Sequence, residues 1–383
     1  MSQRNVLLRR LRLAAAAGSR VQAPPAGDGL EIAGVRAFRL REPSSARRYV
    51  LLRLETRSGL VGYGECPELS EHELALLQRT LPGTPVTAFE RIGRRLASQP
   101  MLRAAANMAL LDIAAKHAQV PLFRFLGGPT RFKVRVMTAL EGDSDAVLIE
   151  ALKRARAAGH RAFSVPLPPV AARNQGRAFV LATQRRMESL RAAAGEEADF
   201  VLNGAAALSP ADAANLCEAL QQFHLYWFDE PFPASNLPAA RRLAAESITP
   251  LGFGRNLTEP LAFQNLLRED AVDVLRPDIC RHGVTEIRKL AAMAECYYVA
   301  VAPYHDGGPV ATAAALHLAA SLPNFFIQEI PFPGAEAARL MRTELIGAPV
   351  EHVKDGFAQL PLGPGLGISI SEQALNKYKD EQA

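Results

Sequence analysis

Short apolar runs, each ending in a polar residue, recur along most of this chain. The polar end positions are 23 to 26 residues apart after a first interval of 39, and they are Ser164, Asn203, Asp229, Arg255, Asp278, Tyr304 and Glu329. A repeat of about 25 residues fits one strand followed by one helix. With an earlier run at 134–139, the pattern predicts eight parallel strands closed into an α/β barrel. The chemistry of such a barrel lies at the carboxyl ends of its strands.

The region before the barrel has a different pattern. Residues 32–40 and 49–56 read as strands, a turn follows at 57–60, and a third strand begins at Val61, which predicts a three-stranded antiparallel meander. Helical periodicity is strongest at 101–119 and ends at Gly127-Gly128. We therefore expect a tail at 1–28, an α+β domain at 29–132, a barrel at 133–351, and a segment at 352–383 that returns to the first domain.

The composition favours a globular protein and excludes some partners. Hydrophobic residues make up 49% of the chain and charged residues 22%. The net charge of +5 arises in residues 1–27, which hold five arginines and no acid, so the remainder is neutral with 39 basic and 39 acidic residues. We expect neither nucleic acid nor membrane as a partner, since there is no basic stripe and no apolar run of the ~20 residues that span a bilayer.

The Arg-rich start of the chain has two interpretations. It is either a disordered tail on a cytoplasmic protein or a leader that directs the protein to export or to an organelle. The four cysteines form no CxxC pair and fit no zinc-site spacing, so we expect reduced thiols.

Six segments, in order, resemble motifs of the enolase superfamily, in its mandelate racemase/muconate lactonizing enzyme-like branch, which includes acid-sugar dehydratases. They are GLVGYGE at 59–65, LDIAAK at 111–116 with Gly127-Gly128, DEP at 229–231, RPD at 276–278 with GVTE at 283–286, the stretch 309–329, and GLG at 365–367. The resemblance implies a (β/α)7β TIM-like barrel with an N-terminal α+β capping domain. It also implies Mg²⁺-assisted removal of the proton alpha to a substrate carboxylate.

The positions that resemble the metal ligands of that family have changed. The resemblance implies three carboxylates at the ends of strands 3, 4 and 5, where this chain has Asn203, Asp229 and Arg255, with formal charges that sum to zero. At ~4 Å and an effective dielectric constant of ~20, a guanidinium would repel Mg²⁺ by about 8 kcal/mol. We therefore expect no Mg²⁺ site and no cofactor, unless Glu230 or Glu259 serves instead. Restoring Asp, Glu and Glu at the three positions should raise Mg²⁺ affinity.

The positions that resemble the family's bases have also changed. Strand 2 has Ser164 and Pro166 where the resemblance implies two lysines, and strand 7 has Tyr304 where it implies a histidine. His305 lies one residue further, so it either pairs with Asp278 as a base or is a loop histidine with an ordinary pKa. Asp278 and Glu329 are either catalytic or pair with arginines such as Arg255 and Arg281.

Three hypotheses follow. In the first, the protein lacks standard Mg²⁺-dependent activity and binds a small carboxylate at the barrel mouth through Arg255, whose guanidinium bonds Asp229. In the second, it is a lyase (an acid-sugar dehydratase) or a racemase of a hydroxy acid or acid sugar that uses Asp278, His305, Tyr304 and Glu329. In the third, it is a structural subunit that assembles with an active relative. We expect a homo-oligomer in the first two cases.

Overall fold

The computed structural model describes residues 29–45, 47–170 and 175–380. The N-terminal unit is an antiparallel meander of β1 (Ile32–Arg41), β2 (Arg48–Thr56) and β3 (Val61–Cys66), in that order. The helices that follow are α1 (Glu71–Thr80), α2 (Phe89–Arg95), α3 (Pro100–His117) and α4 (Leu122–Phe125). The meander and the helical stretch are those that the sequence predicts. The alternatives for residues 1–28 concern a segment outside the described residues.

Two glycines let α3 lie directly on the meander. A Cβ on Gly64 would come within 1.9 Å of the carbonyl oxygen of Ala105, and one on Gly62 within 2.2 Å of that of Ala109. Real side chains cannot approach backbone so closely, so β3 can carry α3 only with glycine at both positions. The core of the capping unit then includes Val50, Leu52 and Leu54 of β2 and Cys66 of β3.

Eight parallel strands form the barrel that the spacing predicts. They are β4 (Lys133–Ala139), β5 (Ala162–Pro166), β6 (Asp199–Asn203), β7 (Phe228–Asp229), β8 (Leu251–Phe253), β9 (Val274–Leu275), β10 (Ala300–Val301) and β11 (Gln328–Glu329). Neighbours from β4 to β10 pair in parallel. The barrel closes because β11 pairs with β4 and Val301 bridges to Phe325. The predicted fold class is confirmed.

Helices alternate with these strands around the outside. They are α5 (Asp145–Ala157), α6 (Arg177–Ala194), α7 (Pro210–Ala219), α8 (Leu237–Glu246), α9 (Pro260–Arg268), α10 (Ile279–Glu295), α11 (Pro309–Ala319) and α12 (Glu336–Ile346). Side chains of Ser144, Ser209 and Asp278 cap α5, α7 and α10 by accepting backbone N–H groups of the first turn. In the described ranges, no helix is both long and apolar enough to cross a membrane.

An apolar layer inside the barrel positions the side chains at its mouth. The layer comprises Met137, Ala162, Val201, Trp227, Val274, Ala302 and Ile327. Strand residues two positions apart point the same way, so the next inward side chains lie one step closer to the mouth. Those side chains are Ser164, Asn203, Asp229, Arg276, Tyr304 and Glu329. On the sixth strand, the inward residue is therefore Arg276 rather than Asp278.

The C-terminal segment returns to the capping unit, but later than residue 352. A hairpin of β12 (Val353–Lys354) and β13 (Phe357–Gln359) comes first, and β13 pairs antiparallel with the barrel strand β4. The contacts with the capping unit begin near Leu366, whose N–H donates to Asp112 on α3 at 2.8 Å. After α13 (Glu372–Lys377), Lys379 bridges to Leu40 on β1. The first part of the segment thus belongs to the barrel, because β13 pairs with residues 133–135 of β4, which precede the residues that pair with β11.

Candidate active site at the barrel mouth

Two arginines and two carboxylates form a closed network at the carboxyl ends of the strands. Asp229 Oδ1 accepts from Arg276 Nε at 3.0 Å, and its Oδ2 accepts from Arg255 Nη1 at 3.2 Å. Glu329 Oε2 accepts from the same Nη1 at 2.8 Å and also from Arg276 Nη2. Each carboxylate therefore contacts both guanidiniums. The four formal charges cancel, which lets the group remain inside the protein.

Arg276 is the innermost cation of this network, and the sequence analysis did not assign it a role. Its side chain is 0% exposed, as is that of Asp229. The guanidinium also donates to the carbonyl of Ala302 and lies 5.1 Å from the ring of Trp227, whose Nε1 donates to Asp229 at 3.0 Å. A signal was available, since an arginine that directly follows the apolar run 272–275 lies at an inward position.

Arg255 forms the outer part of the network, as predicted from the pairing of neighbouring strand ends. Its side chain keeps 13% exposure, and its guanidinium carbon lies 3.8 Å from the centroid of the Tyr304 ring. Burial alone would lower the pKa of Arg255, but Glu329 and Asp229 raise it well above its usual value. Both ion pairs use Nη1, and the described residues provide no acceptor for Nε or Nη2. Two donors of a permanently charged group are therefore available at the mouth.

The carboxylate of Glu329 is held ionised by the two guanidiniums. Burial alone would raise the pKa of Glu329, but Arg255 and Arg276 outweigh it and lower that pKa below its ordinary value. An ionised, doubly paired carboxylate has no proton to donate. Its two partners also oppose its acting as a base, because protonation would leave positive charge uncompensated in the interior.

The residues at the former metal-ligand positions do not fit Mg²⁺. Asn203 turns its Oδ1 back to the N–H of Ala205 at 2.9 Å, both oxygens of Asp229 accept from arginines, and Arg255 brings positive charge to the third position. Hard cations such as Mg²⁺ need oxygen ligands, usually anionic ones. Within the described ranges there is no group of three or more His, Cys, Asp or Glu side chains that could hold a metal ion.

The two acids considered as substitute ligands are directed elsewhere. Glu230 Oε1 accepts from the N–H groups of Gly254 and Arg255 at 2.6 and 2.7 Å, so it holds the end of β8 in place. Burial, aided by the charge of Asp229, raises the pKa of Glu230 to about 7. Glu259 is exposed at the start of α9. Within the described residues, neither carboxylate forms a hydrogen bond or ion pair with the side chain of Asn203 or Arg255.

The surroundings of His305 contradict both alternatives that the sequence leaves open for it. It does not pair with Asp278: its Nε2 lies 3.3 Å from Thr312 Oγ1, and its Nδ1 has no partner in the described part of the chain. Nor is it a loop histidine with an ordinary pKa, because the ring is 1% exposed and burial, with Arg342 and Arg47 nearby, lowers its pKa well below the usual value. The ring faces α11 because Tyr304, which bridges to Asp278 beyond the end of β10, points into the barrel, and the next residue takes the opposite face.

Tyr304 points into the mouth but is not arranged as a base. Its hydroxyl donates to the carbonyl of Arg255 at 2.9 Å, and burial raises its pKa. On strand 2, Ser164 is buried inside the barrel, and no described residue bonds its Oγ. Pro166 ends that strand, and its carbonyl accepts from Arg186 at 2.9 Å. These three residues supply shape and polarity to the mouth rather than proton transfer.

Asp278 is the one predicted base whose carboxyl group is both near the mouth and not in the network. Its Oδ1 accepts from the N–H of Cys280 at 2.8 Å at the start of α10, and Arg281 lies 3.9 Å from its other oxygen. Burial raises the pKa of Asp278 to about 6, although the Cys280 hydrogen bond and Arg281 oppose the rise. Such a carboxyl group can accept and release a proton near neutral pH.

The chain belongs to the enolase superfamily, in the branch of mandelate racemase and muconate lactonizing enzyme. Residues 147–374 match the enolase C-terminal domain-like family, and residues 41–127 match the mandelate racemase / muconate lactonizing enzyme N-terminal domain. A protein of Ralstonia nicotianae named D-galactonate dehydratase is 30% identical over 349 residues, which cover 85% of this chain and 89% of that protein.

Two further relatives cover most of the chain. A Haloferax volcanii protein named D-xylonate dehydratase is 25% identical over 359 residues, which are 87% of this chain and 86% of its own. A crystal structure described as an enolase from Agrobacterium radiobacter with bound Na and L-malate is 27% identical. It superposes with a TM-score of 0.81 and covers 91% of this chain and 95% of that one. The similarity to these relatives extends over both the capping unit and the barrel.

Proposed function

We propose that this protein binds the carboxylate of a small hydroxy acid or sugar acid at the mouth of its barrel, without Mg²⁺. The observation that carries this proposal is the guanidinium of Arg255, which stands at a former metal-ligand position with two donors unused by the described residues. A guanidinium is planar, always charged and suited to two-point contact with a carboxylate. Arg255 would thus supply the positive charge that a metal supplies in relatives.

The ligand class follows from the relatives. Two of them are named as dehydratases of D-galactonate and D-xylonate, and the Agrobacterium radiobacter protein is described with bound L-malate. All three compounds are hydroxy acids with a carboxylate. Similarity over more than four fifths of the chain supports transfer of this broad chemical class. It does not select one sugar acid among them.

The second candidate is catalytic, and the names of the relatives favour it over the first. The chain would dehydrate a sugar acid: a base takes the proton alpha to the carboxylate, the beta hydroxyl leaves as water after it receives a proton from the protonated base or from solvent, and the enol that remains tautomerises to a 2-keto acid. Asp278, with its pKa of about 6, is the base that the geometry supports best. The side chains at the metal positions favour the first candidate, since Arg255, the cation that stands there, is already engaged with two carboxylates and would have to stabilise the enediolate as well.

Calorimetry and a product assay separate the two candidates. The protein is titrated with D-galactonate, D-xylonate and L-malate, once with Mg²⁺ and once with a chelator, and the mixtures with the two sugar acids are assayed for the 2-keto acid that dehydration forms. We expect binding of at least one acid that is equal in both conditions, with no keto acid formed. Formation of keto acid that requires Mg²⁺ would overturn the first candidate and establish the second.

A pair of variants tests the role of Arg255. Arg255→Gln removes the charge at the mouth, and we expect it to weaken binding by about a hundredfold. The matched control is Arg281→Gln, which removes a nearby charge that is 24% exposed and lies beside Asp278. Equal losses in the two variants would show that the ligand responds only to diffuse positive charge.

A further inference from the structure

A groove on the outside of the barrel is separate from the mouth. It has a volume of about 950 Å³ and lies between α5 and α12, with the loop after β11 and the segment 348–355 completing its walls. None of the strand-end residues of the candidate active site lines it. Small-molecule sites have volumes of roughly 300–1,000 Å³. We call it the outer groove.

The outer groove carries a local excess of positive charge. Its lining has six basic side chains against two acidic ones: Arg154, Arg156, Arg161, Arg339, Arg342 and Lys354 against Glu351 and Asp355. Beyond residue 27 the chain has equal numbers of basic and acidic residues. The excess is therefore a property of this groove and not of the whole surface. A concave surface of one sign concentrates ions of the other sign.

Arg339 is fixed in place by groups that do not cancel its charge. Arg339 Nη1 donates to the carbonyls of Pro333 and Gly334 at 2.7 and 2.9 Å, and its guanidinium packs 5.1 Å from the ring of Phe332. Arg161 Nη1 donates to the carbonyls of His160 and Arg156 at 3.0 and 3.3 Å, and its Nη2 lies 3.5 Å from Asp355 Oδ1, an exposed acid that also lines the groove. Carbonyl partners orient a guanidinium but leave its net charge, so Arg339 is preorganised for an anion, whereas Arg161 shares its charge with the exposed Asp355.

Two more arginines keep donors without protein partners. Arg154, exposed on α5, has no ion pair within the described ranges, and one Nη atom lies 3.6 Å from where a Cβ on Gly334 would stand, across the groove. The Nε of Arg156 is buried and has no partner in the described part of the chain. By contrast, the charge of Arg342 is compensated, because Glu42 and Glu351 form ion pairs with it at 2.6 and 2.5 Å. A buried unpaired donor is unfavourable unless a ligand or water completes it.

We propose that the outer groove binds a small phosphorylated molecule with more than one negative charge. Arginine forks match phosphate oxygens in pairs, and several of them in one groove favour a multiply charged anion over a single carboxylate. The site is independent of the proposed function, since it shares no lining residue with the barrel mouth.

Calorimetric titration of the full-length protein with inorganic pyrophosphate at low ionic strength tests the proposal. ADP and glucose 6-phosphate are titrated in parallel, so that a nucleotide source and a sugar phosphate source are distinguished. We expect pyrophosphate to bind the wild-type protein, with affinity that falls as salt is added, because the Debye length shortens from about 30 Å at 0.01 M to about 10 Å at 0.1 M. No heat with any of the three probes would overturn the proposal.

Two neighbouring residues of α5 provide a matched pair of variants. Arg154→Glu reverses a charge inside the outer groove, and we expect it to weaken pyrophosphate binding by at least about tenfold. Lys153→Glu makes a similar change one residue away, on a side chain that pairs with Glu150 and does not line the groove. We expect it to change the affinity by less than about twofold. An equal loss in both variants would mean general surface attraction and would refute the site. Lys354→Glu, on the opposite wall, gives a second test should Arg154→Glu unfold.

Discussion

The Nε of Arg276 donates to Oδ1 of Asp229 at 3.0 Å, and neither side chain is exposed to solvent. This bond joins the ends of β7 and β9 across the interior of the barrel. It also places a second guanidinium behind Arg255, so that the former metal position has two arginines around it. The four-residue network of Asp229, Arg255, Arg276 and Glu329 is thus the central structural feature of the mouth.

Arg276→Gln should strongly destabilise the protein. It leaves Asp229 and Glu329 buried with only Arg255 between them, and breaking a buried ion pair typically costs about 3–5 kcal/mol. Urea unfolding followed by circular dichroism measures the change. Added Mg²⁺ should not rescue the variant, because Arg255 remains at the position. A loss below about 1 kcal/mol would show that the network contributes little to stability.

Arg255→Ala should destabilise less than Arg276→Gln. Arg255 is partly exposed, and both of its carboxylates keep Arg276 as a partner after the change. We expect a loss of about 1–3 kcal/mol in the same unfolding experiment. A larger loss of unfolding free energy in Arg255→Ala than in Arg276→Gln would indicate that the outer arginine holds the network together.

Restoring the three family-like ligands should not by itself create a good Mg²⁺ site. The triple change Asn203→Asp, Asp229→Glu and Arg255→Glu leaves Arg276 in place, with its charge beside the new carboxylates. The quadruple variant, with Arg276→Gln added, should bind Mg²⁺ at least about tenfold more tightly than the triple variant by calorimetry. A buried arginine outside the site, Arg342, serves as the control when changed to Gln in the triple background. Equal Mg²⁺ affinity in the triple and quadruple variants would contradict this prediction.

Glu65 should make stability depend on pH. It lies on β3 of the capping unit, is fully buried, and accepts from the N–H groups of Gly308, Val310 and Ala311 at the start of α11. Burial raises its pKa to about 7, although Gly308, Arg342 and Ala311 oppose the rise. The folded state therefore binds a proton more tightly than the unfolded state, and stability falls as pH rises from about 4.5 to about 7.

Glu65→Gln imitates the protonated form and should flatten that decline. The unfolding free energy of the variant relative to wild type should shift in its favour by up to about 3 kcal/mol between about pH 5 and about pH 8. Urea titrations at several pH values measure the shift. Glu230→Gln is the comparison variant. The pKa of Glu230 is also raised to about 7, but its carboxylate accepts a backbone N–H group beyond the end of β8 in the barrel. If the difference in unfolding free energy between Glu65→Gln and wild type does not vary with pH, Glu65 is not the source of the pH dependence.

If the second candidate function holds, Asp278 and His305 should differ in their effects on turnover. Asp278→Asn removes the carboxyl group that the geometry favours as a base, and turnover should fall by at least about a hundredfold. His305→Gln should leave turnover within a few-fold, because the ring is buried against Thr312 rather than directed into the mouth. The 2-keto acid assay measures both. Loss of turnover in His305→Gln with an unchanged unfolding temperature would show that His305 takes part in catalysis.

The sequence predicts the barrel well because the spacing of strand ends depends only on the length of a strand–helix unit. It predicts the Arg255–Asp229 contact for a similar reason, since neighbouring strand ends place side chains together. It misses Arg276 because Asp278 is the last polar residue after the run and marks its predicted end, whereas alternation from Val274 makes Arg276 the inward residue. It misplaces His305 because chain position alone does not show which face of β10 a neighbouring residue takes.

The network has a consequence for the environments in which the barrel mouth keeps its shape. A bound ion dissociates when its free concentration falls below its dissociation constant, and the stability it provides is lost with it. Arg255 and Arg276 are part of the chain and cannot dissociate. The contacts that Arg255 and Arg276 make among the ends of β7, β9 and β11 therefore do not depend on the concentration of a free divalent cation.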